Sequence, residues 1–164
     1  MRLRRGRPKL NRPAIDLGTP ELRAKRERAV GPKRQGWPEP NVADGEHALG
    51  ILLWRGELAP TYEMSKRMYD AGIMFAGWWM LCNPKSHPGN TLRGLLPGSV
   101  SEGDTDEARA NLTTASRVLG KERAVLDAVI NCVVYQRVMP RKLAHLRTGL
   151  CRLMQWRDEQ RRAA

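Results

Sequence analysis

The stretch that decides the fold is Lys121–Arg161, KERAVLDAVINCVVYQRVMPRKLAHLRTGLCRLMQWRDEQR. Its first half places Leu126, Val129, Ile130, Val133 and Val134 at i, i+3, i+4, i+7 and i+8, one apolar stripe on the α-helical period. The β-branched content would also suit a strand over 129–135, but the spacing is helical rather than alternating. A helix is therefore expected over 121–136. Pro140 suits the first position of the next helix, and Leu143, Leu146, Leu150, Leu153, Met154 and Arg157 carry its stripe toward Arg161. Only Arg137-Val138-Met139 lies between, so the two segments form a helix-turn-helix-like hairpin.

Working outward, a helix is expected from Thr105 to Leu119, with acidic residues at its start and Gly120 at its end. Residues 83–103 are rich in Gly and Pro and read as a long loop. Before them, Met64, Met68, Ala71, Gly72, Phe75, Trp78, Trp79 and Cys82 approximate one face of a helix over Thr61–Leu81, which Asn83-Pro84 ends. A short helix through Leu49, Ile51, Leu52 and Trp54 is expected to be capped by Asp44 and stopped by Gly56. Residues 1–45 carry six prolines and few apolar residues, a poor composition for building a core. They are expected to form a flexible basic arm with one short helix over 20–29, opened by Thr19 and Pro20. No strand pattern or internal repeat is present. The expected fold is all-α: a helical domain of about five helices over 46–162, comprising a helical pair (46–82), a loop (83–103) and a helix-turn-helix-like part (104–162).

A chain of 164 residues is about one domain's worth. Its formal net charge is +12 and its pI about 10.5, which favours polyanionic partners. The charge is uneven: net +9 over residues 1–36, −1 over 37–100 and +4 over 101–164, with +6 concentrated in 137–162. A basic tail and a basic late segment point to two contacts with one polyanion. No run approaches the roughly 18 apolar residues of a membrane span, and the basic N-terminus lacks a signal peptide's apolar run. Cys82, Cys132 and Cys151 are scattered and form no CxxC, the pattern of reduced thiols in a cytoplasmic protein. A nucleoid-associated location follows from the charge.

Enzymatic signatures are missing. His47, His87 and His145 show no metal-ligand spacing. There is no phosphate loop, nucleophile elbow or dinucleotide fingerprint. The expectation is a non-enzyme with no cofactor and no metal. Two features point to DNA instead. Arg4, Arg5, Gly6, Arg7, Pro8 and Lys9 contain the RGRP core of an AT-hook. Gly6 would let the backbone approach the minor-groove floor, Pro8 would hold the chain extended, and the arginines would enter the narrow electronegative groove. The second feature is the side of the last helix opposite its leucines. At about 100° per residue it presents Arg141, His145, Thr148, Arg152 and Gln155, side chains suited to phosphates and base edges. Lys142 and Arg147 add charge beside them. The same hairpin also reads as a plain helix pair with a solvated basic face, and both readings stay open. Trp78 and Trp79 are adjacent and cannot both face one core, so one is expected at a surface as a protein contact. Trp54 and the methionines Met64, Met68, Met74 and Met80 are expected as core.

Glu122-Arg123-Ala124-Val125-Leu126 resembles the E-R-x-V-L helix in the last region of a bacterial sigma factor, which precedes a turn and a recognition helix. This chain departs from that pattern in leaving little room for a short positioning helix. A broader likeness rests on Thr19-Pro20-Glu21-Leu22-Arg23, His47-Ala48-Leu49-Gly50-Ile51-Leu52, Arg55-Gly56-Glu57-Leu58 and Tyr69-Asp70-Ala71-Gly72. It continues through Val125-Leu126-Asp127, Arg137-Val138-Met139-Pro140 and Leu146-Arg147-Thr148-Gly149-Leu150. This order is similar to small prophage-type proteins of alphaproteobacteria and resembles the regulatory domain of gene-transfer-agent activators. The resemblance implies a transcription regulator, an activator or antiterminator, that binds double-stranded DNA and engages RNA polymerase. The chain is then expected to be a monomer or small homo-oligomer with no membrane partner. Two alternatives remain: a DNA-packaging adaptor of small-terminase type, against which the lack of a sustained heptad counts, and a polymerase-binding module without DNA affinity.

Overall fold

The structure, a computed structural model, describes residues 18–83, 102–120 and 122–163. Among these the fold is all-α. Six α-helices follow in order: α1 Pro20–Val30, α2 Ala48–Trp54, α3 Tyr62–Cys82, α4 Glu102–Leu119, α5 Arg123–Val133 and α6 Leu143–Ala163. Two 3₁₀ turns, Val42–Glu46 and Pro140–Lys142, precede α2 and α6. Residues 84–101 of the expected 83–103 loop lie outside the described residues.

The core is where the sequence stripes converge. Leu49, Leu52 and Leu53 of α2 meet Met68, Ala71 and Phe75 of α3. Ala115 and Leu119 of α4, Val125, Val129 and Val133 of α5, and Leu146, Leu150 and Leu153 of α6 complete it. Two glycines allow close helix approach. A Cβ on Gly149 would lie 2.5 Å from Val129 Cγ2 and 3.0 Å from Val125 Cγ1, so α5 presses on α6 at its backbone. A Cβ on Gly72 would meet Leu49 Cδ2 at 2.5 Å and Leu150 Cδ2 at 3.0 Å, where α2, α3 and α6 converge.

The described part of the expected arm, residues 18–45, packs on the helical body. Thr19 caps α1 by accepting from the Leu22 amide at 3.4 Å, Pro20 opens the helix, and Gly31 closes it with φ 76°. Only Val30 of this helix is buried, so polar ties hold it to the body. Arg26 pairs with Glu46, and Arg55 Nε donates to the Ala29 carbonyl at 2.8 Å. Arg34 Nη1 donates to the Arg55 carbonyl at 2.6 Å. Trp37 then enters the core, edge-on to Tyr62 at 5.5 Å, and Tyr62 stacks on Trp54 at 5.8 Å. Few apolar residues sufficed because long polar side chains reach backbone carbonyls, a contact that composition does not reveal.

The start of α2 differs from the expectation as well. Its cap is His47, whose Nδ1 accepts from the Gly50 amide at 3.0 Å. Asp44 sits in the preceding 3₁₀ turn and accepts from Trp54 Nε1 at 2.8 Å.

The hairpin turn is longer than the three residues expected. Helix α5 ends at Val133, and three residues on, Gln136 takes a left-handed conformation, φ 56°. Its Oε1 accepts from the Ala48 amide at the start of α2, and its Nε2 donates to the Val133 carbonyl, both at 2.8 Å. The chain leaves the helix to make that cross-tie. Six residues, 134–139, and a 3₁₀ turn then lead into α6.

Candidate nucleic-acid interface

The outward side of α6 forms as the helical period requires. Arg141, Thr148 and Gln155 are exposed, and Lys142, His145 and Arg152 are half-buried. Two of the arginines expected to contact DNA are engaged within the fold. Arg147 Nε donates to the Glu57 carbonyl at 2.6 Å, which ties α6 to the α2–α3 connection. Arg152 Nη2 donates to Glu122 Oε1 at 2.7 Å, and this hydrogen bond, followed by the arginine's charge, lowers the Glu122 pKa. The middle of α6 is also flanked. Leu58, Pro60, Met64 and Met68 line one side of it. Arg117 and Val118, at the end of α4, line the other. Arg152 and Gln155 lie between and line the hollow on each side.

Unpaired cations gather instead at the hairpin tip. Arg137 and Arg141 are exposed and Lys142 is half-buried, and none of the three forms an ion pair among the described residues. Beside them stand Tyr135, Val138 and Met139, 38%, 41% and 41% exposed, three of the four large apolar side chains most open to solvent among the described residues. Recognition helices meet base edges with their N-terminal residues, which here are the residues at this tip. Arg4, Arg5, Gly6, Arg7, Pro8 and Lys9 lie outside the described residues.

Trp78 and Trp79 are both half-buried. Trp79 packs on Phe75, with ring centroids 6.3 Å apart, and its Nε1 is buried with no partner among the described residues. Trp78 meets Trp156 edge-on at 5.6 Å. Both tryptophans of this second pair line a cleft of about 340 Å³ with Asn111, Gln160, Arg157 and Arg161. The sequence pattern gave Trp156 no role and put Arg157 on the apolar stripe. The signal that could have found them was the pair of i, i+4 steps, Trp156 to Gln160 and Arg157 to Arg161, which run up one side of α6.

The remaining polar cluster is buried. His47 is 5% exposed, and desolvation lowers its pKa against the opposing pull of Asp44. Because Nδ1 accepts from Gly50, the neutral ring carries its proton on Nε2, 3.2 Å from the Tyr69 hydroxyl. That hydroxyl donates to Asp44 Oδ1 at 3.3 Å, and its own pKa is raised, first by burial and then by Asp44. Every member of this chain has a structural partner, and it fastens the 3₁₀ turn to α2 and α3. Among the described residues no three His, Cys, Asp or Glu side chains gather as a metal site, and no helix is long and apolar enough to cross a membrane. No protein-family model, curated protein or solved structure matches the chain.

Proposed function

We propose that the chain is a DNA-binding transcription regulator of phage type, an activator or antiterminator that contacts duplex DNA and RNA polymerase. The observation that carries this reading is the hairpin tip, where Arg137, Arg141 and Lys142 stand without acidic partners at the start of α6. A net charge of +12 and the RGRP segment of the N-terminal tail support it. The proposed contacts are Arg141, Lys142 and His145 at the tip and Arg4, Arg5, Arg7 and Lys9 in the tail. Arg147 and Arg152 act mainly as ties within the fold.

Anisotropy titrations on duplex DNA over a range of salt test the reading. Arg141→Ala with Lys142→Ala should weaken binding and flatten the salt slope by about one unit for each phosphate the protein no longer neutralises. Arg5→Ala with Arg7→Ala should do the same for the tail. A change in preferred sequence would mark base reading by the tip, and a uniform weakening would mark a phosphate clamp. An absence of duplex binding at moderate salt would refute the DNA reading. It would favour the second one, a polymerase-docking module, for which the exposed Tyr135, Val138 and Met139 speak.

A further inference from the structure

The cleft between α3, α4 and the C-terminal half of α6 has no part in the duplex reading. Its walls combine four kinds of group, one of them the flexible thioether of Met74, which the sequence pattern put in the core and which lines this cleft instead. Trp78 and Trp156 supply aromatic surface, with centroids 5.6 Å apart and planes at 70°. Asn111 and Gln160 supply amides that both donate and accept. Arg157 and Arg161 supply positive charge, and Arg162 follows them on the exposed end of the helix. Among the described residues no carboxylate lines the cleft: Asp158 is paired with Arg67, and Glu159 lines the hollow beside Arg117 on the other side of Trp156. The volume, about 340 Å³, is at the small end of ligand pockets.

We propose that this cleft takes an unpaired base of a single-stranded nucleic acid. An aromatic wall stacks a base of any sequence. Amides match the mixed donors and acceptors of a base edge, and arginines at the rim meet the flanking phosphates. A base inside a duplex is already stacked and does not reach such a wall. A simple anion would need the arginines but neither the tryptophans nor the amides. An apolar ligand would leave the amides and guanidinium groups without partners. The proposal does not depend on duplex binding by the hairpin tip.

The test uses the full chain and anisotropy of labelled oligomers of about 12 nucleotides, a typical single-strand site size. Three probes share one phosphate count: a ribo-oligomer, a deoxy-oligomer and an abasic deoxy-oligomer. The base-bearing probes should bind about tenfold more tightly than the abasic one, the effect of one good stack. Trp156→Leu should abolish that ratio while leaving abasic binding unchanged, and Trp156→Phe should keep most of it. Asn111→Ala with Gln160→Ala should lower the ratio without touching the aromatic pair, which serves where Trp156→Leu fails to fold by circular dichroism. Equal binding of abasic and base-bearing probes overturns the proposal, as does a ratio that survives Trp156→Leu or the double amide variant. The tighter of the two base-bearing probes identifies RNA or single-stranded DNA as the source. A retained ratio without duplex binding sinks the regulator reading and leaves this one standing.

Discussion

Replacing Gln136 separates backbone strain from hydrogen bonding. It is the one non-glycine residue with positive φ among the described residues, at 56°. Gln136→Ala keeps the Cβ, so the cost of the left-handed conformation, about 1–2 kcal/mol, is common to both proteins and cancels. What disappears is the pair of bonds to the Ala48 amide and the Val133 carbonyl, each 2.8 Å. At about 1 kcal/mol per bond, and somewhat more for a half-buried amide left unpaired, the destabilisation comes to about 2–3 kcal/mol. Gln136→Gly removes the same bonds but relieves the strain, which offsets about 1 kcal/mol after glycine's greater chain entropy. The glycine variant should therefore be the more stable of the two, by about 1 kcal/mol, or about 2–4 °C in Tm for a chain of this size. Gln136→Asn tolerates the conformation but is one methylene short of Ala48, so it falls near or between them. Urea unfolding followed by tryptophan fluorescence reads the differences, provided the m values agree. An alanine variant as stable as the glycine one, or more so, would refute the left-handed turn. Wild-type stability in both would refute the cross-tie to α2.

Other outcomes follow from the packing and the buried groups. Because the folded-state pKa of His47 is lowered, the unfolded chain binds its proton first; stability from this group is full above about pH 6.5 and falls as the pH drops below that value. His47→Asn, which preserves an N-cap acceptor, should remove this component, and identical pH profiles of the two proteins would contradict the assignment. Gly149→Ala should cost about 1–2 kcal/mol in denaturant unfolding despite its better helix propensity, because the neighbouring atoms at 2.5 and 3.0 Å belong to stiff valines on a helix. Gly72→Ala should cost less, since its nearest atoms are the ends of leucines, and the reverse order would refute the packing described for α5 against α6. Arg147→Ala should lower stability by about 1 kcal/mol by removing the bond to the Glu57 carbonyl, whereas Arg141→Ala should stay within about 0.5 kcal/mol. Cys132 is 2% exposed, and burial pushes its thiol up to about 12. Ellman's reagent should leave it unmodified in the native protein, and rapid reaction of all three cysteines would show that the α5 core opens readily.

What could be read from the chain was its periodicity. The stripe from Leu126 to Val134 told helix from strand, but the buried side of α5 is offset by part of a turn, through Val125, Ala128, Val129, Cys132 and Val133, with Leu126 and Ile130 only half-covered; the leucines of α6 follow the period more closely. The outward side of α6 was legible for the same reason, since a helix whose buried side is known has its other side determined. The fate of individual residues on that side was not. Whether Arg147 and Arg152 are free depends on the Glu57 carbonyl and the Glu122 carboxylate, and only the tertiary approach of α6 to those segments brings them near. Gln136 reads as the last residue of a helix because propensity sees only neighbours, whereas its amide answers a donor far away in the chain. Trp37 was hidden for a related reason: one aromatic in a proline-rich stretch carries no period, yet Tyr62 and Trp54 were waiting for it. The cleft beside Trp156 escapes a reading of the sequence because three helices contribute to it, and each contribution looks ordinary alone.

The ties that close this fold are long in sequence. Gln136 reaches back 88 residues to Ala48, Arg147 90 to Glu57, and Asp158 91 to Arg67. During synthesis at about 5–20 residues per second, α2 and α3 therefore emerge roughly 4–18 s before the segments that complete them. Through that interval Leu49, Leu52, Leu53 and Phe75, all fully covered in the finished protein, are open to any other apolar surface. A chain released before α6 is made would leave them uncovered, and exposed apolar surface of that kind is what makes incomplete chains prone to aggregate.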